Sequence, residues 1–162
     1  MSPRKHRKNP SGSPSLSELL PWSVIYYLTT SGSAPALDFL FGCSPTIRAQ
    51  FVAVLDTVAA APPPQFSGGG FWEAMHGDMG GWYEIRVTGP RREQFRLFCL
   101  LENGSTDQLA KCGLTRPAIA VITGMRKPWR TTFSNREYEH VRHLGDEHRQ
   151  NFPRKSPVRD PL

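Results

Sequence analysis

Arg86 and Arg96 sit in two short runs, WYEIRV (82–87) and QFRLFCLL (94–101), separated by a stretch that holds Gly89 and Pro90. Aromatic, branched and alternating residues mark each run as a strand, and the Gly-Pro stretch reads as the turn of a hairpin. If Val87 pairs with Phe95, then Ile85 faces Leu97 and Tyr83 faces Cys99. These six side chains then share one apolar sheet face. A slip of one residue would bury the arginines instead, which favours this register. The other face then carries Glu84, Arg86, Arg96 and Phe98, with Arg86 directly across from Arg96. Like charges opposed across strands repel. The pair therefore calls for an anion between the two guanidinium groups or for an acid that bridges them. Glu84 can be that acid on the diagonal, and a bound phosphate is the other solution; both readings stand open at this level.

A second cationic group follows an apolar run. The segment GMRKPWR (124–130) brings Arg126, Lys127 and Arg130 close together with Trp129 among them. Arginine forks match phosphate oxygens, and an indole offers a surface on which a base can stack. Interleaved cations and an aromatic fit single-stranded RNA better than a membrane surface. The plainer alternative is a solvated loop with Trp129 folded back onto the core.

The distribution of charge agrees with a polyanion partner. The chain has 162 residues and a formal net charge of +6. Residues 1–10 hold four cations and no acid, residues 11–115 hold six cations and nine acids, and residues 116–162 hold ten cations and five acids. A basic head and a basic last third thus flank a slightly acidic body, a pattern that suggests a polyanion partner; by composition alone, a soluble basic protein with a solvated tail is the plainer reading. Cys43, Cys99 and Cys112 form no CxxC pair, and an odd count argues against a disulfide framework. No apolar stretch approaches the ~18 residues of a membrane span, and no apolar segment follows the basic head, so the cytoplasm is the default location.

The elements that position these residues can be read in order. Residues 1–20 read as a disordered basic, Ser/Pro-rich tail, and 151–162 as a second basic tail. WSVIYYLT (22–29) reads as a first strand, followed by a short helix over 35–41. Ser44 suits an N-cap and Pro45 the first position of a longer helix, along which Ile47, Phe51, Leu55 and Val58 recur at helical spacing with Val54 beside them. Pro62, Pro63 and Pro64 end it, and a flexible loop covers 67–70. After the hairpin, 103–115 reads as irregular, and AIAVIT (118–123) as a central strand buried on both faces. Ser134 and Glu137 form a capping box, with Phe133 and Tyr138 placed as a hydrophobic staple. Tyr138, Val141 and Leu144 supply the apolar stripe of a last helix. The sum is an α+β fold: a small antiparallel sheet with N-terminal helices packed on one face and a C-terminal helix.

The hairpin, the run AIAVITGMRK (118–127), the stretch Thr131-Thr132-Phe133-Ser134 and the last helix with Leu144-Gly145-Asp146-Glu147 together resemble RelE/HigB toxins of type II toxin–antitoxin systems. The phage-derived HigB-like branch is the nearest pattern, and the resemblance spans about residues 22–150. It implies a compact RelE/ParE-like domain over 21–150, an endoribonuclease that cuts messenger RNA on the ribosome without a metal or other cofactor, and an antitoxin partner, expected to be a small helix-turn-helix protein. Carried over by motif, the site residues are Arg86, Arg96 and either Arg126 or Lys127. The sequence departs from the pattern where RelE has a tyrosine after the basic exit, because that position falls near Phe133, whose ring carries no proton to exchange. HigB-like members often use a histidine near the C-terminus, and His140, His143 and His148 are available here, with His148 able to fold toward the sheet edge as an acid or base.

The chemistry so implied is specific. Arg86 and Arg96 would hold the scissile phosphate and offset its growing charge, and Lys127 would serve as base or acid, its proton loosened by neighbouring cations. Arg126 and Arg130 would hold flanking phosphates, and Trp129 would stack on a base. Two other readings use the same surface: a module that binds RNA or an acidic partner without cutting, and a gyrase-directed toxin of the ParE type.

Overall fold

The computed structural model describes residues 21–62 and 70–157. The chain order is β1 (Ser23–Tyr26), α1 (Pro35–Gly42), α2 (Pro45–Ala60), β2 (Trp72–Ala74), β3 (Tyr83–Thr88), β4 (Gln94–Glu102), α3 (Thr106–Lys111), β5 (Ala118–Lys127) and α4 (Asn135–Gln150). Single 3₁₀ turns at Gly77–Met79 and Pro90–Arg92 complete it. The five strands form one sheet in the order β1-β5-β4-β3-β2.

The α+β class is as the sequence indicates, but the sheet is mixed rather than antiparallel. β1 runs parallel to β5, with Ser23 beside Ala118 and Tyr26 beside Val121. The reason is topological. Turn residues encode antiparallel pairing only between strands joined by a tight turn, whereas β1 meets β5 with β2, β3 and β4 intervening in sequence. Two short elements also escape the patterns. β2 has only three residues, and α3 lies inside the polar stretch 103–115, where Ser105 and Gln108 form a reciprocal capping box.

Both sheet faces are covered. On one face Leu40, Ile47, Phe51, Leu55 and Val58 of α1 and α2 pack against Ile85, Val87, Phe95, Leu97, Cys99, Ile119 and Val121. On the other, Val141 and Leu144 of α4 pack with Trp82, Phe98, Leu100, Ala120 and Ile122. Each fully buried Phe or Leu here contributes about 1.5–3 kcal/mol relative to exposure. The apolar β5 run is an interior strand between β1 and β4, next to the sheet edge and not at its centre, and is buried on both sides as its unbroken hydrophobicity indicates. A register shift between Phe98 and Cys99 sets Thr123 opposite Phe98 but Val121 opposite Cys99, so Ile122 is the extra residue of a β-bulge. The bulge changes the phase of β5, and Thr123, Met125 and Lys127 then share the α4 side with Phe98, Arg96 and Gln94. Gly124 consequently faces α1, where an added Cβ would collide with the Phe39 ring.

The helices start where their caps say they must. The Ser44 hydroxyl accepts from the Ile47 amide at 3.3 Å. At α4 the Ser134 hydroxyl accepts from the Glu137 amide at 3.2 Å, while the Glu137 carboxylate accepts from the Ser134 amide at 2.6 Å. Residues 151–157, read from sequence as part of a tail, are held against the body. Arg154 donates to Glu102 at 2.8 Å, the Lys155 carbonyl accepts from the Leu28 amide and the Ser156 hydroxyl from the Tyr26 amide, so this segment covers the outer edge of β1. The tail expected over 1–20, most of the loop at 67–70 and the last five residues lie outside the described residues.

Candidate nucleic-acid interface

The hairpin register is the one its alternation dictates: Val87 pairs with Phe95, Ile85 with Leu97, Tyr83 with Cys99, and Arg86 with Arg96. The two guanidinium groups therefore leave adjacent strands on the same face. Glu84 lies between them, only 5% exposed. Its Oε1 accepts from Arg86 Nε at 2.6 Å, and its Oε2 lies 3.8 Å from Arg96 Nε. Arg96 is also fixed by Gln94, whose side-chain oxygen accepts from Nη2 at 2.7 Å, and by the Phe95 carbonyl at 3.0 Å. Its side chain is 14% exposed, against 48% for Arg86. The bridging acid anticipated from the sequence is thus present and is closer to Arg86. One carboxylate still faces two guanidinium groups, so the cluster keeps an excess of positive charge.

Lys127 joins from β5, opposite Gln94. Its ammonium sits 4.1 Å from the centroid of the Phe133 ring. Burial lowers the Lys127 pKa below its ordinary value, and the Arg96 charge adds to the effect while Glu84 opposes it. Tyr138 of α4 joins from above, its ring edge-on to Phe98 and Phe133 with centroids 6.2 and 6.0 Å away. Burial raises its phenol pKa, and the Glu84 charge raises it further while Arg96 and Arg86 act the other way. The phenol therefore keeps its proton at neutral pH. Sequence reasoning placed Tyr138 in a hydrophobic staple with Phe133 and in the apolar stripe of its helix, and gave it no chemical role. The signal that could have found it is its place one turn after the N-cap of a helix that crosses the hairpin's charged face.

The loops at this end of the sheet hold further cations. Arg92 and Arg130 lie against the Trp129 ring, with guanidinium carbons 4.5 and 4.2 Å from its centroid. Trp129 remains 43% exposed rather than folding into the core. Arg126 stands apart from this grouping. Strand alternation turns it to the α1 side, next to Phe95, where its Nε lies 3.5 Å from Glu93. Of the two cations carried over at the basic exit, Lys127 shares the Arg86–Arg96 face and Arg126 does not.

His148 does not belong to this site. It is wholly buried, with Nε2 2.9 Å from Glu102, and its ring meets Tyr27 edge-on. Its Nδ1 finds no hydrogen-bond partner among the described residues. Glu102 ends β4, six residues beyond Arg96 and thus about 20 Å along the strand. Burial alone would raise the Glu102 carboxyl, but hydrogen bonds from His148 and Arg154 hold it below its ordinary value. The assignment of His148 as an acid or base at the arginine pair is corrected accordingly: it is a structural histidine inside an ion-paired core. His140 is exposed, and His143 pairs with Glu147 at 3.2 Å on the solvent side of α4.

Next to the cluster, beyond Tyr138, lies a cleft of about 350 Å³ lined by Met75, His76, Asp78, Met79, Asn135, Tyr138, Glu139 and Arg142. Among the described residues, no group of three or more His, Cys, Asp or Glu side chains is arranged to hold a metal ion, and no helix is long and apolar enough to cross a membrane. Comparison with family models, with curated proteins and with solved structures found no match to this chain.

Proposed function

We propose that this protein is an endoribonuclease of the RelE/HigB type, the toxin of a toxin–antitoxin pair, which cuts messenger RNA with side chains of its β3–β4–β5 surface. The observation that carries the reading is the convergence of Arg86, Arg96, Lys127 and Tyr138 on one face, around a single carboxylate. The RelE/ParE-like layout implied by the sequence resemblance is compatible with two N-terminal helices on one sheet face and a C-terminal helix on the other.

In this reading a phosphodiester displaces Glu84 in part and is clamped by the two arginines. Lys127, already inclined to lose its proton, takes the proton of the ribose 2′-hydroxyl. The 2′-oxygen then attacks phosphorus, and the 5′-oxygen leaves with the proton that Tyr138 donates. Products are a 2′,3′-cyclic phosphate and a 5′-hydroxyl. The arginines stabilise the extra negative charge of the pentacoordinate state. Trp129, flanked by Arg92 and Arg130, offers a stacking surface for a flanking base.

A second reading has an observation of its own. Glu84 already satisfies Arg86 at 2.6 Å, so the face can also bind RNA or an acidic partner without chemistry. Induced expression in bacterial cells separates the two. The ribonuclease reading expects growth arrest by the wild type, relief by Arg86→Ala, Arg96→Ala or Lys127→Ala, and fragments ending in a cyclic phosphate. Arrest that persists in all three variants would discard this site, and RNA binding without cleavage in vitro would leave the binding module. Loss of replication before translation would instead support the gyrase-directed reading.

A further inference from the structure

We propose that the cleft beside Tyr138 is a base-reading subsite that takes a guanine next to the phosphate held by Arg86 and Arg96; this rests on the RNA-binding reading above and specifies its substrate. The arginine cluster can position a backbone but cannot tell one nucleotide from another, because phosphate contacts carry no base information. The cleft has the complementary properties. Tyr138 is one of its lining residues, and the same phenol feels the charges of Glu84, Arg96 and Arg86. One residue thus borders both spaces. At about 350 Å³ the cleft lies at the small end of small-molecule sites, which run from about 300 to 1,000 Å³. That is room for one base and part of its ribose.

Its lining matches the edges of guanine better than those of other bases. Asp78 and Glu139 are acceptors only, suited to the N1–H and N2–H₂ donors. Arg142 is a donor fork, suited to O6 and N7. It is half-buried, and its Nη1 makes a weak hydrogen bond to the Met79 sulfur at 3.6 Å, which holds the side chain at the cleft wall. The Tyr138 ring is a planar surface for stacking, and Met75 and Met79 add polarizable apolar contact. Adenine and cytosine offer fewer donors to the two carboxylates, and uracil pairs its single N–H with two oxygens that the carboxylates repel. Asp78 and Met79 lie in a 3₁₀ turn between two glycines of positive φ, Gly77 at 63° and Gly81 at 87°, while Glu139 and Arg142 lie on neighbouring turns of α4.

The test uses the full-length protein and fluorescein-labelled eight-nucleotide RNAs, either all uridine or uridine with one central G, A or C. Anisotropy at fixed salt should show the G-containing oligomer bound about tenfold more tightly than the all-uridine one, the size of one bidentate base contact. Arg142→Lys and the double change Asp78→Asn with Glu139→Gln should each bring the affinities for the G-containing and all-uridine oligomers to within about twofold of one another, the double change by tightening the all-uridine oligomer. A thermal melt matching the wild type confirms that each variant is folded. Arg96→Ala should weaken every oligomer alike and keep the preference. Wild-type binding without base preference, preference for another base, or a guanine preference that survives both cleft variants overturns the subsite and leaves the arginine face standing. Absence of RNA binding by the wild type overturns both.

Discussion

Glu84→Gln should make the protein less stable and its grip on RNA stronger. The carboxylate is nearly buried and sits between two cations that the hairpin register forces together, offsetting part of their repulsion. Removing one partner of a fully buried ion pair costs about 3–5 kcal/mol, and an exposed pair contributes about 0–1 kcal/mol. Here the short contact goes to Arg86, whose side chain is 48% exposed, and the contact to the better-buried Arg96 is 3.8 Å long. Glutamine also keeps a hydrogen-bond acceptor at the same place. The cost should therefore fall between the limits, at about 1–2 kcal/mol, which lowers the melting midpoint by about 3–6 °C for a domain of this size. The same change removes the anion that competes with phosphate for both forks. A net charged hydrogen bond is worth about 1.5–3 kcal/mol, and recovering part of one tightens RNA binding about three- to tenfold. Thermal denaturation and fluorescence anisotropy with a short RNA at fixed salt read the two effects separately. A variant that melts lower and also binds RNA more weakly would refute the reasoning, because Glu84 would then be organising the arginines rather than occupying their ligand's place. A variant unchanged in both would show that Glu84 does not hold the pair at all.

Other parts of the structure give four further outcomes. Arg96→Ala should make the plot of log K against log salt shallower, by about 0.7 for each single-strand phosphate that Arg96 neutralises, measured by titration across salt concentrations. Lys127 has a lowered folded pKa, so the unfolded chain binds more protons in the window just below the ordinary lysine value, and stability should rise with pH there; Lys127→Met should abolish that rise in chemical denaturation, and Lys127→Ala should abolish any matching rise in cleavage rate. Glu102 has a lowered folded pKa, so its contribution is full above the ordinary carboxylate range and is lost as pH falls through the lowered value; Arg154→Ala should weaken the protein at neutral pH and flatten its acid denaturation curve. His148→Ala should cost about 2–4 kcal/mol in denaturant melts, by leaving a cavity and an unpaired Glu102, without changing RNA affinity of the folded protein.

What the sequence disclosed follows the reach of its physical signals. Period-two alternation in 82–87 and 94–101 was strong enough to give the hairpin register residue by residue, and with it the opposition of Arg86 and Arg96. Side-chain caps at Ser44 and Ser134 located both long helices. The direction of β1 was not legible, since parallel pairing with β5 is a long-range choice that no local turn encodes. Arg126 and Lys127 were indistinguishable in a basic run. The bulge at Ile122 sets the phase of the β5 end, which puts Lys127 with the arginines and Arg126 behind them. Tyr138 and His148 exchanged roles for a related reason. Both fit the spacing of α4, and only the placement of that helix across the sheet shows that the tyrosine overlooks the charged cluster while the histidine is sealed against Glu102.

The central claim is that the Arg86–Arg96 face meets the phosphodiester of RNA. It is tested most directly by incubating wild-type protein and an Arg86→Ala/Arg96→Ala double variant with ribosomes programmed with end-labelled message, then mapping fragments and their termini. The account expects discrete fragments with 2′,3′-cyclic phosphate ends from the wild type and intact message from a double variant that melts cooperatively. Equal cutting by both proteins, or intact message with the wild type, would contradict it.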